Sequence, residues 1–348
     1  MSKEFARYSY EMLSTRQEVK MKNQNQITLL LTLALMYVVP TQTRAQATGQ
    51  AFPSKPIKIL VGVTPGGTTD TLARFLALGM SKELGQPVIV DNRAGAGGNI
   101  AADAVAKSLA DGYTLLFCNT SHSVNPGLYG AKLPFDALKD FTPITQVSTG
   151  PAVLVASTSF AGKDAKDVIA MAKASPGKLN FAIGGVGTSI HMAGDLFKNM
   201  AGIDVVNVPY KGSSPALTDV MAGQIELMFA PVINAVPQIK AGKVKALGVT
   251  STTPIPALPG VPTIAASLPG YESAAFFGLL GPAKLPAEIL ARLHAAGARA
   301  AQSDELRKRL EPDGSRVVGG TPAEFAAFLT ADIEKWKKVV QATGAKPE

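Results

Sequence analysis

Short apolar runs alternate with amphipathic stretches along most of this chain, and the turns between them are built from Gly, Thr and Ser. Ile57–Val63 reads as a buried strand, Thr69–Leu84 as a helix ended by Gly85, and Val88–Val90 as a second strand. Gly97–Leu109 reads as an Ala-rich helix and Tyr113–Cys118 as a third strand. This alternation predicts βαβ units, parallel strands with helices on both faces. A second block follows the same rule. It holds strands at Ala152–Ala156, Leu179–Ile183, Val205–Val208, Ile225–Phe229 and Val244–Val249. Helices at Ala165–Ala174, Thr188–Met200, Pro215–Ala222 and Val232–Ala241 separate them. Pro254, Pro256, Pro259, Pro262 and Pro269 then make Thr250–Gly270 a turn-rich passage. The strand Ala274–Leu280 and the helices Ala287–Ala301, Asp304–Leu310 and Pro322–Ala342 complete the pattern. No 20–50-residue repeat of a solenoid is visible.

Three of the strand-to-helix turns share one character. They are Pro65-Gly66-Gly67-Thr68-Thr69-Asp70, Gly184-Gly185-Val186-Gly187-Thr188-Ser189, and Lys211-Gly212-Ser213-Ser214-Pro215. Each leaves backbone N–H groups unpaired at a helix start, with hydroxyls beside them and the positive end of the helix dipole behind. Such turns hold carboxylates or phosphates. In open α/β sheets they lie beyond the C-terminal strand ends, where ligands bind. Two such sheets facing each other form a two-lobed clamp around one cleft.

Composition narrows the class. Hydrophobic content of 46% and charged content of 17% are globular values. Lys20 and Lys22, the mostly aliphatic run Ile27–Val39 and Ala45-Gln46-Ala47 have the order of a secretory signal peptide, with cleavage expected after Ala47. Met21 is an alternative start for that segment. The apolar run is shorter than the roughly 20 residues a membrane span needs. The whole chain carries +8. Without residues 1–47 there are 28 Lys/Arg against 23 Asp/Glu, a mild excess that suits an anionic ligand. No basic run with interleaved aromatics points to nucleic acid. Cys118 stands alone inside an apolar run and reads as a buried small hydrophobe.

An ordered series of short motifs carries a resemblance. It runs Phe52-Pro-Ser-Lys-Pro-Ile, Pro65–Asp70, Asn92-Arg93-Ala94-Gly95-Ala96-Gly97-Gly98-Asn99, Asp111-Gly112-Tyr113-Thr114, and His122 with Asn125-Pro126. It continues with Gly187-Thr188 and His191, Val208-Pro209-Tyr210-Lys211-Gly212, Leu258-Pro259 with Val261-Pro262-Thr263, and Gly319-Gly320-Thr321-Pro322. From Phe52 to about Gly344 the chain resembles the periplasmic substrate-binding receptors of tripartite tricarboxylate transporters, often called Bug-type receptors. The resemblance implies an α/β, type II periplasmic-binding-protein fold: two lobes, a hinge and an interlobe cleft. Residues 48–149 and 273–348 would form lobe 1, and 150–272 lobe 2. It implies capture of a small carboxylate and its delivery to the permease subunits of such a transporter. No cofactor is expected, the His and Cys spacing offers no metal site, and a monomer is the default expectation.

The ligand set expected from the turns and the resemblance comprises Pro65, Gly66, Gly67, Thr68 and Thr69 in the first lobe. Asn119, Ser121, His122 and Asn125, from a polar segment read as a loop, join them. The second lobe supplies Gly187, Thr188, Ser189, Tyr210, Gly212, Ser213 and Ala230. Asp70 is expected to brace its loop, Lys211 to be solvated, His191 to sit inward as a structural group, and His294 to be exposed. Ile183 stands where the family commonly has Ser, and Ala230 where it commonly has an acid. With Val186, Ile190 and Phe276 or Phe277, these suggest apolar walls and an aromatic or plain aliphatic carboxylate.

Two other readings compete. Gly187-Thr188-Ser189-Ile190-His191 fails the Gly-x-Ser-x-Gly elbow at its last residue, leaving a Ser189/His191 hydrolase as the enzyme alternative. A ligand-sensing subunit of a membrane kinase would use lobe closure equally well.

Overall fold

A computed structural model describes residues 52–210 and 212–347. The expected signal peptide and Lys211 fall outside them.

β1 (Ile57–Val61) leads into α1 (Thr68–Leu84). Leu72, Ala73, Leu76, Ala77 and Met80 recur on one face of that helix and are buried against the sheet. β2 (Val88–Asn92), α2 (Asn99–Ala106) and β3 (Thr114–Asn119) repeat the unit, and β1 pairs in parallel with both strands. α3 (Ser121–Tyr129) begins immediately after β3, and β4 (Phe141–Ser157) is a 17-residue strand. The second block holds α4 (Ala165–Ala174), β5 (Asn180–Ile183), α5 (Ser189–Ala201), β6 (Val206–Pro209) and α6 (Ser213–Met221). β7 (Leu227–Pro231), α7 (Val232–Lys240) and β8 (Val244–Val249) close it. After the Pro-rich passage come β9 (Ala274–Pro282), α8 (Ala287–Ala301), α9 (Asp304–Leu310), β10 (Arg316–Val317) and α10 (Pro322–Thr343). Thr321 and Glu324 cap α10 reciprocally.

The strands order as β2-β1-β3-β9-β4-β7-β5-β6, with β8 and β10 also on β4. The expected parallel pairing holds for β1 with β2 and β3 and for β5 with β6 and β7, and is corrected at β4 and β9. β9 is inserted antiparallel between β3 and β4, and β4 runs antiparallel to β7 and β8. β4 is shared. Phe141–Pro151 pairs with β9, whereas Ala152 onward pairs with β7 and β8. A second segment crosses beside it: Thr250 N–H donates to Ala152 O at 2.9 Å, and Ala152 N–H donates to Thr250 Oγ1 at 2.8 Å. The two halves of the molecule therefore meet at a pair of hydrogen-bonded strand crossings, the hinge of a two-lobed fold.

Helices cover both faces of the first half. α1 and α8 pack on one side with Ile57, Ile59, Phe117 and Leu279; α2 and α10 pack on the other with Leu60, Leu116, Phe276 and Phe325. α10 also sends Trp336, Val339 and Val340 into the core of the second half, beside Val124 and Leu128 of α3. Gly127 permits this closeness, since a Cβ there would lie 3.2 Å from Lys337 Cα. Among the described residues, no helix is long and apolar enough to cross a membrane.

Candidate functional site

Five helices begin at one cavity of about 490 Å3 between the two halves. α1 starts after Gly67 with no side-chain cap, and Gly67, Thr68 and Thr69 line the cavity. Behind them Asp70 folds back: its Oδ2 accepts from Gly66 N–H at 2.9 Å, and its Oδ1 accepts from Asn92 Nδ2 at 2.9 Å and pairs with Arg74. Burial alone would raise the Asp70 pKa, but hydrogen bonds from Arg74, Gly66 and Asn92 outweigh it and hold the carboxyl below its ordinary range. Asp70 braces the loop. Its grip on Gly66 turns that N–H inward, and Pro65 and Gly66 are exposed residues outside the cavity wall.

In the second half, α5 and α6 start side by side. Gly184 is the reason: a Cβ there would lie 2.8 Å from Ser213 N, so only glycine allows the two turns to touch. Gly212 holds φ 117°, which favours glycine, and leaves α6 without a side-chain cap. Ser189, Gly212 and Ser213 line the cavity. Thr188 lines it too, but its hydroxyl donates to Gly185 O at 2.8 Å and accepts from His191 N–H at 3.4 Å, so its proton is already engaged. α7 starts where the sequence predicts a helix, but its place at the site was not anticipated: Pro231, Val232 and Ile233 stand at the wall. No Gly or hydroxyl turn announces it, because β7 runs straight into the helix.

The polar segment read as a loop is α3. Asn119, Thr120 and Ser121 face the cavity; Asn119 Nδ2 donates to Thr69 Oγ1 at 3.1 Å, and Ser121 Oγ donates to Gly187 O at 3.2 Å, linking the halves. His122 and Asn125 lie elsewhere, on a smaller cavity of about 150 Å3 behind Asn119, Ser121 and Thr188. His122 stacks on Phe135, meets Phe141 edge-on, and donates from Nε2 to Ala137 O at 2.9 Å. Burial pulls its pKa down to about 4, partly offset by that hydrogen bond. Asn125 Nδ2 donates to Gly97 O at 3.0 Å.

Three further candidates lie off the main cavity. Gly187 N–H donates to His191 Nδ1, Tyr210 donates its phenol to Asp219 at 2.6 Å, and Ala230 is fully buried in β7 opposite Val153. The bond to Asp219 pushes the Tyr210 phenol up to about 12. Ile183 is likewise buried in its strand, so neither family departure shapes the wall directly. The apolar surface comes instead from Leu72, Ile190, Val232, Ile233, Phe277 and Leu310. Phe276 belongs to the core over β3, and Val186 to the smaller cavity. His294 is half-buried rather than exposed, and its Nδ1 donates to Ile144 O at 3.0 Å.

His191 is a structural group. Its Nδ1 accepts from Gly187 N–H at 3.1 Å, so Nε2 carries the proton and donates to Asp195 Oδ2 at 3.2 Å. Asn207 and Lys198 complete the cluster on Asp195. Burial alone would raise the Asp195 pKa, but His191 and then Lys198 draw it well below the usual carboxylate range. Both ring nitrogens are thus engaged away from Ser189, and the general-base geometry of a hydrolase is not formed.

Among the described residues, no Asp, Glu, Lys, Arg or His lines the main cavity. Its field comes from helix starts and hydroxyls over apolar walls. That arrangement suits an anion held by helix ends rather than by a cationic side chain.

The sequence profile described as "Tripartite tricarboxylate transporter family receptor" matches residues 72–345. BugT of Bordetella pertussis is 34% identical over 92% of this chain and 99% of its own. Among solved structures, the periplasmic binding protein BugD is 29% identical with a TM-score of 0.76, covering 85% of this chain and 100% of its own. Rpa4515 of R. palustris with adipate is 34% identical with a TM-score of 0.78, covering 85% and 100%. MatC (Rpa3494) of Rhodopseudomonas palustris with bound malate is 33% identical with a TM-score of 0.75, covering 83% and 100%.

Proposed function

This chain belongs to the tripartite tricarboxylate transporter receptor family, solute-binding proteins of two lobes, and we propose that it captures a small organic carboxylate in its main cavity. The observation that carries this reading is a cavity with five helix starts and no charged side chain among its described lining residues. One carboxylate against these starts gains up to about 1–2 kcal/mol from each well-placed helix end. The hydrocarbon body of the acid lies on Leu72, Ile190, Phe277 and their neighbours. Relatives crystallised with adipate and malate support an aliphatic acid of that size, and the apolar walls support an aromatic one as well.

The ligand-contacting groups are Gly67–Thr69, Asn119, Ser189, Gly212 and Ser213; Ser121, like Thr188, has its hydroxyl proton committed to a backbone carbonyl. Of the described residues, 52–149 with 273–347 form lobe 1 and 150–272 form lobe 2, with the boundary close to the point where β4 exchanges partners. The receptor works in the periplasm, reached through the N-terminal signal segment, and presents its closed form to the membrane permease subunits of a tripartite transporter. A thermal-shift screen of the protein lacking residues 1–47 against mono- and dicarboxylates tests the binding role, since a ligand of the native state raises the melting temperature. Saturable stabilisation by carboxylates and none by their amides is the expected result. Stabilisation by none of the acids would remove the proposal.

A further inference from the structure

One lining group is not explained by helix starts. Ser148 sits in β4 just before the strand changes partners, opposite Phe277 of β9 and Val317 of β10. Ladders on both sides fix its position. Residues paired across a sheet share a face, and here Ser148 and Phe277 line the cavity together, as do Gly150 and its partner Ala275. Ser148 therefore belongs to the cavity wall. It is buried, with 1% of the residue exposed, and Ser148 Oγ has no hydrogen-bond partner among the described residues. A buried hydroxyl without a partner is disfavoured, so the site is completed when a polar group arrives from the cavity.

The chemistry of that group follows from its surroundings. Phe277 and Ala275 flank the hydroxyl, and no cationic side chain lines the cavity among the described residues. The helix starts lie at the strand ends, in other segments of the wall. A second ionised carboxylate held by this one hydroxyl would be buried without charge compensation, a costly state. A neutral oxygen, by contrast, exchanges one hydrogen bond with water for one with Ser148.

Resting on the carboxylate reading above, we propose that Ser148 is a specificity-determining residue that recognises a neutral oxygen function, a hydroxyl, phenol or keto group, on the body of the bound acid. The preferred ligand is a hydroxy- or oxo-carboxylate rather than its unsubstituted parent.

Calorimetry with matched acids tests this, using malate against succinate and 3-hydroxybenzoate against benzoate, on wild type and Ser148→Ala. In wild type the oxygenated member of at least one pair binds about three- to tenfold more tightly, the range expected for one net hydrogen bond. Ser148→Ala abolishes that preference and leaves the affinity for the unsubstituted acid within twofold. Its melting temperature without ligand equals or exceeds that of wild type, because an unsatisfied buried hydroxyl has been removed. Ser148→Gly, which also lacks the hydroxyl, repeats the loss of preference by a second route. A preference that survives both substitutions, an equal loss for both members of a pair, or the absence of any preference in wild type overturns the inference alone. Failure of all four acids to bind wild type, together with failure of the broader acid screen, overturns the carboxylate reading and this inference with it.

Discussion

Replacing His122 by Gln separates a structural histidine from a ligand contact, and the expected effect can be worked from the burial of the ring. His122 is buried between Phe135 and Phe141, and its pKa falls from 6.5 to about 4. The unfolded chain therefore takes up this proton at a higher pH than the folded one does. The contribution of His122 to stability is complete above pH 6.5, shrinks as pH falls through 6.5, and levels off below about pH 4. At 1.36 kcal/mol per pKa unit, the loss across that window is about 3 kcal/mol. For roughly 300 folded residues, that corresponds to about 5 °C in melting temperature. Gln retains a donor for Ala137 O and does not titrate. Melting curves of wild type and His122→Gln between pH 7.5 and 3.5 are the assay. The variant starts lower at neutral pH, having lost the ring packing, and the gap closes by about 3 kcal/mol toward pH 4. Asp332 titrates in the same window with the opposite sign, but it is present in both proteins and cancels in the difference. Parallel curves would refute the reasoning. At pH 7 the variant keeps the ligand affinity of wild type within about twofold, because the ring faces the smaller cavity; a larger loss would return His122 to the ligand-binding set.

Gly184→Ala places a Cβ 2.8 Å from Ser213 N and drives the α5 and α6 starts apart. Carboxylate affinity should fall about 5- to 30-fold, the equivalent of one helix end, and calorimetry showing an unchanged Kd would exclude the α6 start from the site. Burial raises the Asp332 pKa to about 6, against weaker pulls from Ser123, Lys335 and Trp336. The stability this gives the folded state is present below pH 3.8 and is lost as pH rises through 6. Asp332→Asn should therefore stabilise the protein at pH 8 by about 3 kcal/mol and match it near pH 3.5; thermal melts showing the same offset at both pH values would contradict this.

Much of the architecture could be read from apolar spacing, and the failures have physical causes. α4, β8, α8 and α9 occupy the predicted residues because each carries its own periodicity and its own start or stop signal. α3 does not. His122, Ser123 and Asn125 are polar residues on a buried face, and Pro126 sits inside the helix, so local pattern points to a loop. The first half of β4 was hidden by Pro143, Gly150 and Pro151, which the flanking strands tolerate. At the site, the turns before α1, α5 and α6 were legible through their glycines and hydroxyls. Thr188 shows the limit of that reading, since a hydroxyl next to a cavity can still be committed to its own backbone. Ser148 carries no local signal, and Phe277 was expected at the wall only as an alternative to Phe276. They meet only because two strands far apart in sequence become neighbours.

That late-arriving neighbour has a consequence for how the molecule comes into being. Ala274–Pro282 fills the slot between β3 and β4, both made long before it. A nascent chain ending short of this point exposes an open edge along Leu115, Leu116 and Phe117, a template for adhesion between copies. Assembly must therefore wait for nearly complete synthesis, with the chain kept apart from its own kind until then. The first half of the gene, expressed alone, would yield an aggregate rather than a lobe.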